Sequence, residues 1–177
     1  MRTITISMLV ITAALLAVFA SVTLAEQDRH TPKVPYGLAF TEFKDYDSWQ
    51  DVAVSETATT VKAVLGNPLM IKAYKEGIPD NGKSFPEGAK MVKIEWSKKK
   101  DPASPYAVEV PDTLKSVSFI EKDSKRFPST HGWAYAQFSY DAAAKELKPS
   151  VTGSECGYAC HMSVASRDYI FTAYAFR

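Results

Sequence analysis

The 177-residue chain lacks a strong charge of either sign. Its 21 basic and 20 acidic residues leave a formal net charge of +1. Because nucleic acids are bound through clustered lysine and arginine, this balance gives no general attraction to DNA or RNA. Internal repeats are also missing, and so are low-complexity tracts beyond the amino terminus. We therefore expect neither a repeat protein nor a nucleic-acid-binding protein.

The amino terminus has the pattern of an export signal. Arg2 supplies a positive charge, residues 8–20 are mostly apolar, and Ala25 is a small residue suited to cleavage before Glu26. We predict that residues 1–25 are a signal peptide, cleaved near Ala25, and that the mature protein is periplasmic. The alternative is a retained membrane anchor, although several polar residues interrupt the apolar run.

The chain beyond the leader is long enough for one hydrophobic core and short for two. Roughly 150 residues remain, which is the usual size of a single domain. Residues 26–45 begin with a polar, proline-containing stretch and are predicted to form an N-terminal lead-in. Residues 46–177 are predicted to form the functional domain.

Hydrophobic alternation and turn residues predict an α+β fold, with a mostly antiparallel sheet of four to five strands packed with a few helices. Asn67 and Pro68 mark the start of one helix. Asp47, with Gln50 three residues later, has the pattern of another helix start. A C-terminal helix is predicted over residues 156–167. The predicted strands are Val61–Leu65, Lys90–Trp96, Lys115–Glu121, Trp133–Tyr140 and Tyr169–Phe176.

The only two cysteines lie close together and directly before a histidine, in Cys156-Gly157-Tyr158-Ala159-Cys160-His161. Two thiols followed by an imidazole are typical of a c-type haem site, in which the sulfurs attach to the porphyrin vinyl groups and the histidine binds iron. The spacer has three residues instead of the usual two, so it must bulge outward, which Gly157 would ease. We predict haem on the C-terminal helix, attached through Cys156 and Cys160, with His161 as the metal ligand.

Two other interpretations of the cysteine pair stay open. A disulfide between Cys156 and Cys160 would suit an exported protein, although cysteines four apart on a helix are near the limit of bridging geometry. It also leaves the adjacent histidine unexplained. A bare metal site lacks an evident fourth ligand nearby.

The opposite side of the iron has no convincing protein ligand in the sequence. The candidates are Met70, Met91, His131 and His30, but Met70 lies on the core face of its helix and His131 lies in a turn. We therefore expect an open site for gas or small-molecule chemistry. A six-coordinate electron-transfer cytochrome c is the alternative, and a haem-free, disulfide-bonded secreted domain is a third interpretation.

Several short segments form a specific combination. They are Asn67-Pro68, Tyr74-Lys75, Glu87 to Lys93, Lys122 to Phe127, Gly132 to Tyr135, Glu155 to His161 and Ile170 to Thr172. Through them the chain, from Tyr46 to its end, resembles the cytochrome P-460 family, which includes cytochrome c′-beta. The resemblance implies a largely antiparallel sheet packed with helices, a homodimer and one haem c per chain. It also implies one of two activities: P-460 members carry a lysine joined to the porphyrin and oxidise hydroxylamine, whereas c′-beta members lack that link and bind gases such as nitric oxide.

The resemblance places Lys93 where the cross-linking lysine would be. Lys93 is on the strand face opposite Val92 and Ile94, and Lys90 is on the other face by parity. The alternative for Lys93 is an ordinary exposed lysine of a strand.

The resemblance also places Ser118 where P-460 oxidases have a distal carboxylate, and serine is a poor proton acceptor near neutral pH. Glu95 shares a strand face with Lys93 and is a candidate for the missing carboxylate. Catalytic roles of Lys93 and Glu95 are thus predicted for hydroxylamine oxidation, and nitric oxide binding is predicted if that chemistry is lost. The expected partners are a small nitrogen compound and a separate electron-transfer protein.

Overall fold

The computed structural model describes residues 38–150 and 154–175. The predicted leader and His30 lie outside the described residues. The main element is one six-stranded antiparallel sheet in which each strand pairs with its neighbour in the chain. The predicted α+β fold with an antiparallel sheet is therefore confirmed. The strands are β1 (Gln50–Glu56), β2 (Thr60–Gly66), β3 (Lys90–Lys100), β4 (Glu109–Lys122), β5 (Trp133–Asp141) and β6 (Glu146–Pro149).

Within the described residues, two α-helices accompany the sheet, α1 (Pro68–Lys75) and α2 (Ser154–His161). The start of α1 is confirmed: Asn67 Oδ1 accepts a hydrogen bond from Met70 N at 3.0 Å. The same oxygen accepts from Lys90 N at 3.1 Å, which joins the start of α1 to the start of β3. No helix in the described part of the chain is long and apolar enough to cross a membrane. Short 3₁₀ segments cover Phe40–Phe43, Tyr46–Ser48, Pro128–Thr130 and Met162–Arg167.

Apolar residues cover both faces of the sheet. On one face, α1 and the C-terminal segment form a cluster that includes Met70, Met91 and Ile170, all buried. This is the face on which α2 also lies, because Gly157 of α2 approaches Tyr135 of β5. The candidate site is therefore built on this face.

The segment before β1 covers the other face. The ring centroid of Phe40 lies 5.2 Å from that of Phe119 and 5.3 Å from that of Phe138, and the rings meet edge-on. Leu38 and Phe43 are buried in the same cluster. The end of the predicted lead-in is therefore part of the hydrophobic core.

The sheet has six strands, not the four to five predicted from the sequence. Where a helix was predicted to begin at Asp47, the chain makes one 3₁₀ turn with no side-chain capping bond and then enters β1. Pairing of β1 with β2 outweighs the local capping pattern, since strand formation depends on a partner that local sequence does not show. β6 was missed because it is only four residues long, at the sheet edge.

The predicted strand Tyr169–Phe176 is wrong over its described residues, 169–175, which have no regular secondary structure. Asp168 and Tyr169 adopt left-handed backbone conformations, with φ of 48° and 64°, which interrupt an extended run. Further along this segment, the Thr172 carbonyl accepts a hydrogen bond from the side chain of Tyr74, at 2.9 Å from Oη, and not from the backbone of a neighbouring strand. The aromatic alternation of this segment therefore reflects packing and not sheet pairing.

Candidate functional site

The two cysteines lie one turn apart on α2. Cys156 and Cys160 are both exposed, and no disulfide joins them. Because residues four apart on a helix lie on the same side, the two thiols share one side of α2. The helix continues without interruption from Ser154 to His161, so the outward bulge predicted for the spacer does not form.

Gly157 allows α2 to lie directly against the sheet. A Cβ atom at this position would be 2.5 Å from Cγ of Tyr135, closer than real Cβ atoms approach, and 3.0 Å from Cδ1. The prediction that Gly157 eases a bulge is wrong: its role is close packing against Tyr135.

A short hydrogen bond fixes the ring of His161, the last residue of α2. Nδ1 lies 2.6 Å from the carbonyl oxygen of Tyr169. A carbonyl can only accept, so Nδ1 carries the proton and donates, and Nε2 keeps a free lone pair that can bind a metal ion. Burial lowers the pKa of His161; the bond to Tyr169 opposes this shift and the charge of Lys93 adds to it. The net effect favours the neutral ring that a metal requires.

Two aromatic rings flank this imidazole. The Tyr135 ring centroid lies 4.7 Å from that of His161, and the Phe171 ring lies 4.8 Å away in an edge-on arrangement. Burial raises the pKa of Tyr135, so its hydroxyl stays protonated. The imidazole is thus held by ring contacts as well as by its hydrogen bond.

Two cavities meet at His161. The first, about 320 Å³, lies between α2 and the sheet and is bordered by Cys156 and Cys160. The second, about 280 Å³, lies between the sheet and the C-terminal segment. Both are lined by Lys93, Ser118, Ile120 and His161.

This arrangement fits a flat, largely apolar cofactor with a central metal ion. The imidazole presents a free Nε2, two thiols lie on one side of the same helix, and Tyr135 and Phe171 supply apolar surface beside the ring. Haem has these properties.

Lys93 and Ser118 are direct partners on adjacent strands, Lys93 on β3 and Ser118 on β4. Lys90 is directed to the other face of the sheet, where its Nζ lies 3.2 Å from Glu121 Oε1 and 4.9 Å from the centroid of the Phe43 ring. The structure therefore brings Lys93, and not Lys90, to His161.

Glu95 does not line either of the two cavities at His161. It lies two residues beyond Lys93 on β3 and pairs with Lys62 of β2 and Ser116 of β4. The linings of these two cavities contain no aspartate or glutamate. The structure brings Lys93 and Ser118 to His161 and leaves Glu95 outside.

The candidates for an opposite iron ligand lie in different surroundings. Met70 is fully buried in the core beneath α1. Met91 borders the second cavity, and its sulfur lies 3.8 Å from Tyr74 Oη. The His131 ring stacks on Tyr169 at 5.1 Å and lines neither cavity. No group of three or more histidine, cysteine, aspartate or glutamate side chains that could hold a bare metal ion occurs within residues 38–150 and 154–175.

Sequence reasoning missed three contributors to the site. Tyr135 and Phe171 contact the His161 ring, but in the sequence they are two aromatic residues among many. Only the alternation of apolar residues around them indicated which face they would occupy. Tyr169 contributes a backbone oxygen, and no side-chain identity reports where a carbonyl will be directed.

Comparison with known proteins agrees with this geometry. The family model for Cytochrome P460 matches residues 43–172, more than two thirds of the chain, and the match includes all six strands and the motif on α2. No curated protein shows a significant match. The chain therefore belongs to the cytochrome P460 family, which implies that it is a haem-binding cytochrome.

Proposed function

We propose that this chain is an exported cytochrome of P-460 type that carries one covalent haem c and binds small nitrogen compounds at an open iron position. One observation supports it most: Nδ1 of His161 donates to the Tyr169 carbonyl at 2.6 Å, which leaves Nε2 free directly after a pair of unbonded thiols. His161 is the proposed iron ligand, and Cys156 and Cys160 are the proposed attachment points.

The three-residue spacer is compatible with two thioethers. Four residues along a helix correspond to a rise of about 6 Å, so both sulfurs can meet one edge of a porphyrin without unwinding α2. Cys156 and Cys160 would hold the haem by addition of each S–H across a vinyl group, which needs no oxidant or reductant. Exposure of both thiols leaves them accessible for this reaction.

Once bound, haem would supply the iron for ligand binding and electron transfer. The protein's own residues would set the surroundings. Tyr135 and Phe171 would exclude water beside the imidazole, and Lys93 would bring an amine to the porphyrin edge. We propose Lys93 as the cross-linking residue, because it lines both cavities.

Nitric oxide binding is better supported than hydroxylamine oxidation. Oxidation of hydroxylamine releases protons, and a carboxylate near the ligand would accept them. The two cavity linings contain none, and Ser118 stands beside Lys93 instead. If oxidation occurs, Glu95 is the proposed proton acceptor, because it lies two residues from Lys93 on the same face of β3, although it lines neither cavity. In that case Glu95→Gln should lower turnover by about 100-fold or more, whereas unchanged turnover would remove Glu95 from the mechanism.

The proposal is tested by producing the chain together with the haem-maturation machinery and measuring its intact mass and optical spectrum. We expect the mass of one haem and a pentacoordinate, high-spin ferric spectrum. Cys156→Ala and Cys160→Ala should each leave one thioether, and the double variant should leave none. His161→Ala should change the ligand field, whereas the matched control His131→Ala should not.

Two results would contradict the proposal. A colourless, fully matured protein with its sulfurs joined to each other would exclude the haem site. A low-spin ferric spectrum would favour the six-coordinate electron-transfer alternative, and Met91 would then be the first residue to replace, because it borders the second cavity. Four predictions remain: export to the periplasm, cleavage near Ala25, the homodimer and the electron-transfer partner. N-terminal sequencing of the mature protein tests the first two.

A further inference from the structure

The segment that follows His161 makes a turn that brings the Tyr169 carbonyl back to the His161 ring. Val164 departs from helical geometry, with φ of −122° and ψ of 33°, and Asp168 and Tyr169 then both adopt positive φ. Residues other than glycine keep such conformations only where the surrounding contacts hold them. The Tyr169 carbonyl that accepts from His161 is part of this turn.

Asp168 supplies the contacts that hold the turn. Its Oδ1 accepts from Lys122 Nζ at 3.0 Å, and its Oδ2 accepts from the backbone N–H of Phe85 at 2.8 Å. The side chains of Asp168 and Lys122 are only 9% and 8% exposed, so water competes weakly for this pair. The carboxylate thus joins the turn to β4 and to the loop before β3.

Lys122 is itself fixed by more than the ion pair. Its Nζ also donates to the His131 carbonyl at 3.0 Å and lies 5.0 Å from the centroid of the Trp133 ring. Trp133 is fully buried. The chain of contacts therefore leads from the rigid end of β4, through Asp168, to the adjacent residue whose carbonyl orients His161.

We propose that Lys122 and Asp168 are positioning residues for His161. Their buried ion pair holds the Tyr169 carbonyl against Nδ1, and this sets the tautomer and the electron donation of the proposed iron ligand. Neither side chain lines the two cavities at His161. The part of the inference that concerns electron donation to iron rests on the proposed function. The part that concerns the tautomer does not, because the tautomer of His161 can be measured in the haem-free chain.

The first test measures that tautomer by ¹⁵N nuclear magnetic resonance of the haem-free chain at a pH where the imidazole is neutral. The His161 signals are assigned with His161→Gln. We expect the Nδ1–H form alone in the unmodified chain, and a mixture of the two tautomers in Asp168→Asn and in Lys122→Met. Lys122→Arg should retain the Nδ1–H form, because a guanidinium can pair with Asp168.

The second test measures the reduction potential of the haem-loaded protein. A strong hydrogen bond from Nδ1 makes the imidazole a better electron donor and stabilises ferric iron, so its loss should shift the potential upward. Asp168→Asn and Lys122→Met should show this upward shift.

Glu121→Gln is the matched control for both measurements. It breaks another buried ion pair, Lys90–Glu121, next to Lys122 in β4 but on the opposite face of the sheet. We expect an unchanged tautomer and an unchanged potential. The proposal is overturned if Asp168→Asn behaves like Glu121→Gln, or if Asp168→Asn folds and keeps the pure Nδ1–H tautomer. If the chain never binds haem, the tautomer result still decides this inference separately.

Discussion

Gly157 of α2 lies directly on the ring of Tyr135 of β5, with no room for a β-carbon between them. The same tyrosine contacts His161, with ring centroids 4.7 Å apart. The position of the proposed iron ligand above the sheet thus depends on the absence of one methyl group.

Replacing Gly157 by alanine should displace α2. We expect the free energy of unfolding to fall by about 1–3 kcal/mol, the usual effect of overpacking, despite the better helix propensity of alanine. The yield of covalent haem should fall as well, because the thiols move with the helix. Urea unfolding and haem absorbance measure the two effects. Ala159→Ser, an equally small addition at an exposed position of the same helix, should cost no more than about 0.5 kcal/mol and leave the haem yield unchanged. Equal stability of both variants would contradict the observed packing.

Lys93 should be recovered joined to haem after proteolytic digestion of the mature protein. Its location in both cavity linings brings it to the site, whereas Lys90 is paired with Glu121 on the other face. Mass spectrometry of the haem-containing peptides should show a second peptide that contains Lys93. Lys93→Arg should abolish this peptide and shift the ferrous absorption band to shorter wavelength, and Lys90→Arg should leave both unchanged. If the only haem-containing peptides come from α2, Lys93 is not joined to the haem and is an ordinary charged residue of the cavity lining.

A carboxylate at position 118 should increase hydroxylamine oxidation. Ser118 lines both cavities beside Lys93, so Ser118→Asp places a proton acceptor where the described lining has none. General bases contribute about 100-fold to 10,000-fold, and we expect a gain toward the lower end. The control is Ser118→Asn, which has nearly the same shape without the charge. Equal turnover of the two variants would show that a proton acceptor at this place is not what limits the reaction.

Acid stability should depend on Asp141, which holds the turn between β5 and β6. Its carboxylate accepts from Lys148 Nζ at 2.7 Å and from the backbone N–H groups of Ala144 and Ala143. The Lys148 bond, followed by these two backbone bonds, lowers the pKa of Asp141 to about 2. The unfolded chain, whose aspartate titrates near the ordinary 3.8, therefore binds the proton first as the pH falls.

The stability supplied by Asp141 is thus present above about pH 3.8 and is lost as the pH falls toward about 2. Melting temperatures measured from pH 5 to pH 2 should fall less steeply for Asp141→Asn than for the unmodified chain. A parallel curve for Asp141→Asn would mean that the turn bonds contribute nothing to folding.

Much of the fold could be predicted from sequence because its signals are local. Asn67 and Pro68 start α1 through a capping bond that involves neighbouring residues, and the alternation of β2 and β3 is visible in single segments. β1 depends on its partner β2, and the segment after Asp168 depends on two residues with positive φ. Neither influence can be read from a hydrophobic period.

The candidate site divides in the same way. The cysteine pair with its histidine is a contiguous pattern, and the facing of Lys93 follows from strand parity. The carbonyl of Tyr169, the buried pair of Lys122 and Asp168, and the contact between Gly157 and Tyr135 join residues far apart in the chain. The residue types at these positions do not show which residues will be in contact, because that depends on the register of the strands.

Leu38 and Phe40 decide where a shortened recombinant protein can begin. The family match starts at Phe43, yet Leu38 is completely enclosed and Phe40 touches Phe119 and Phe138. A protein that began at Phe43 would expose the apolar rings of Phe119 and Phe138 on the face of the sheet opposite the thiols. Exposed apolar surfaces of this kind promote aggregation. Expression vectors should therefore start upstream of Leu38, or poor solubility will be mistaken for failure to take up the cofactor.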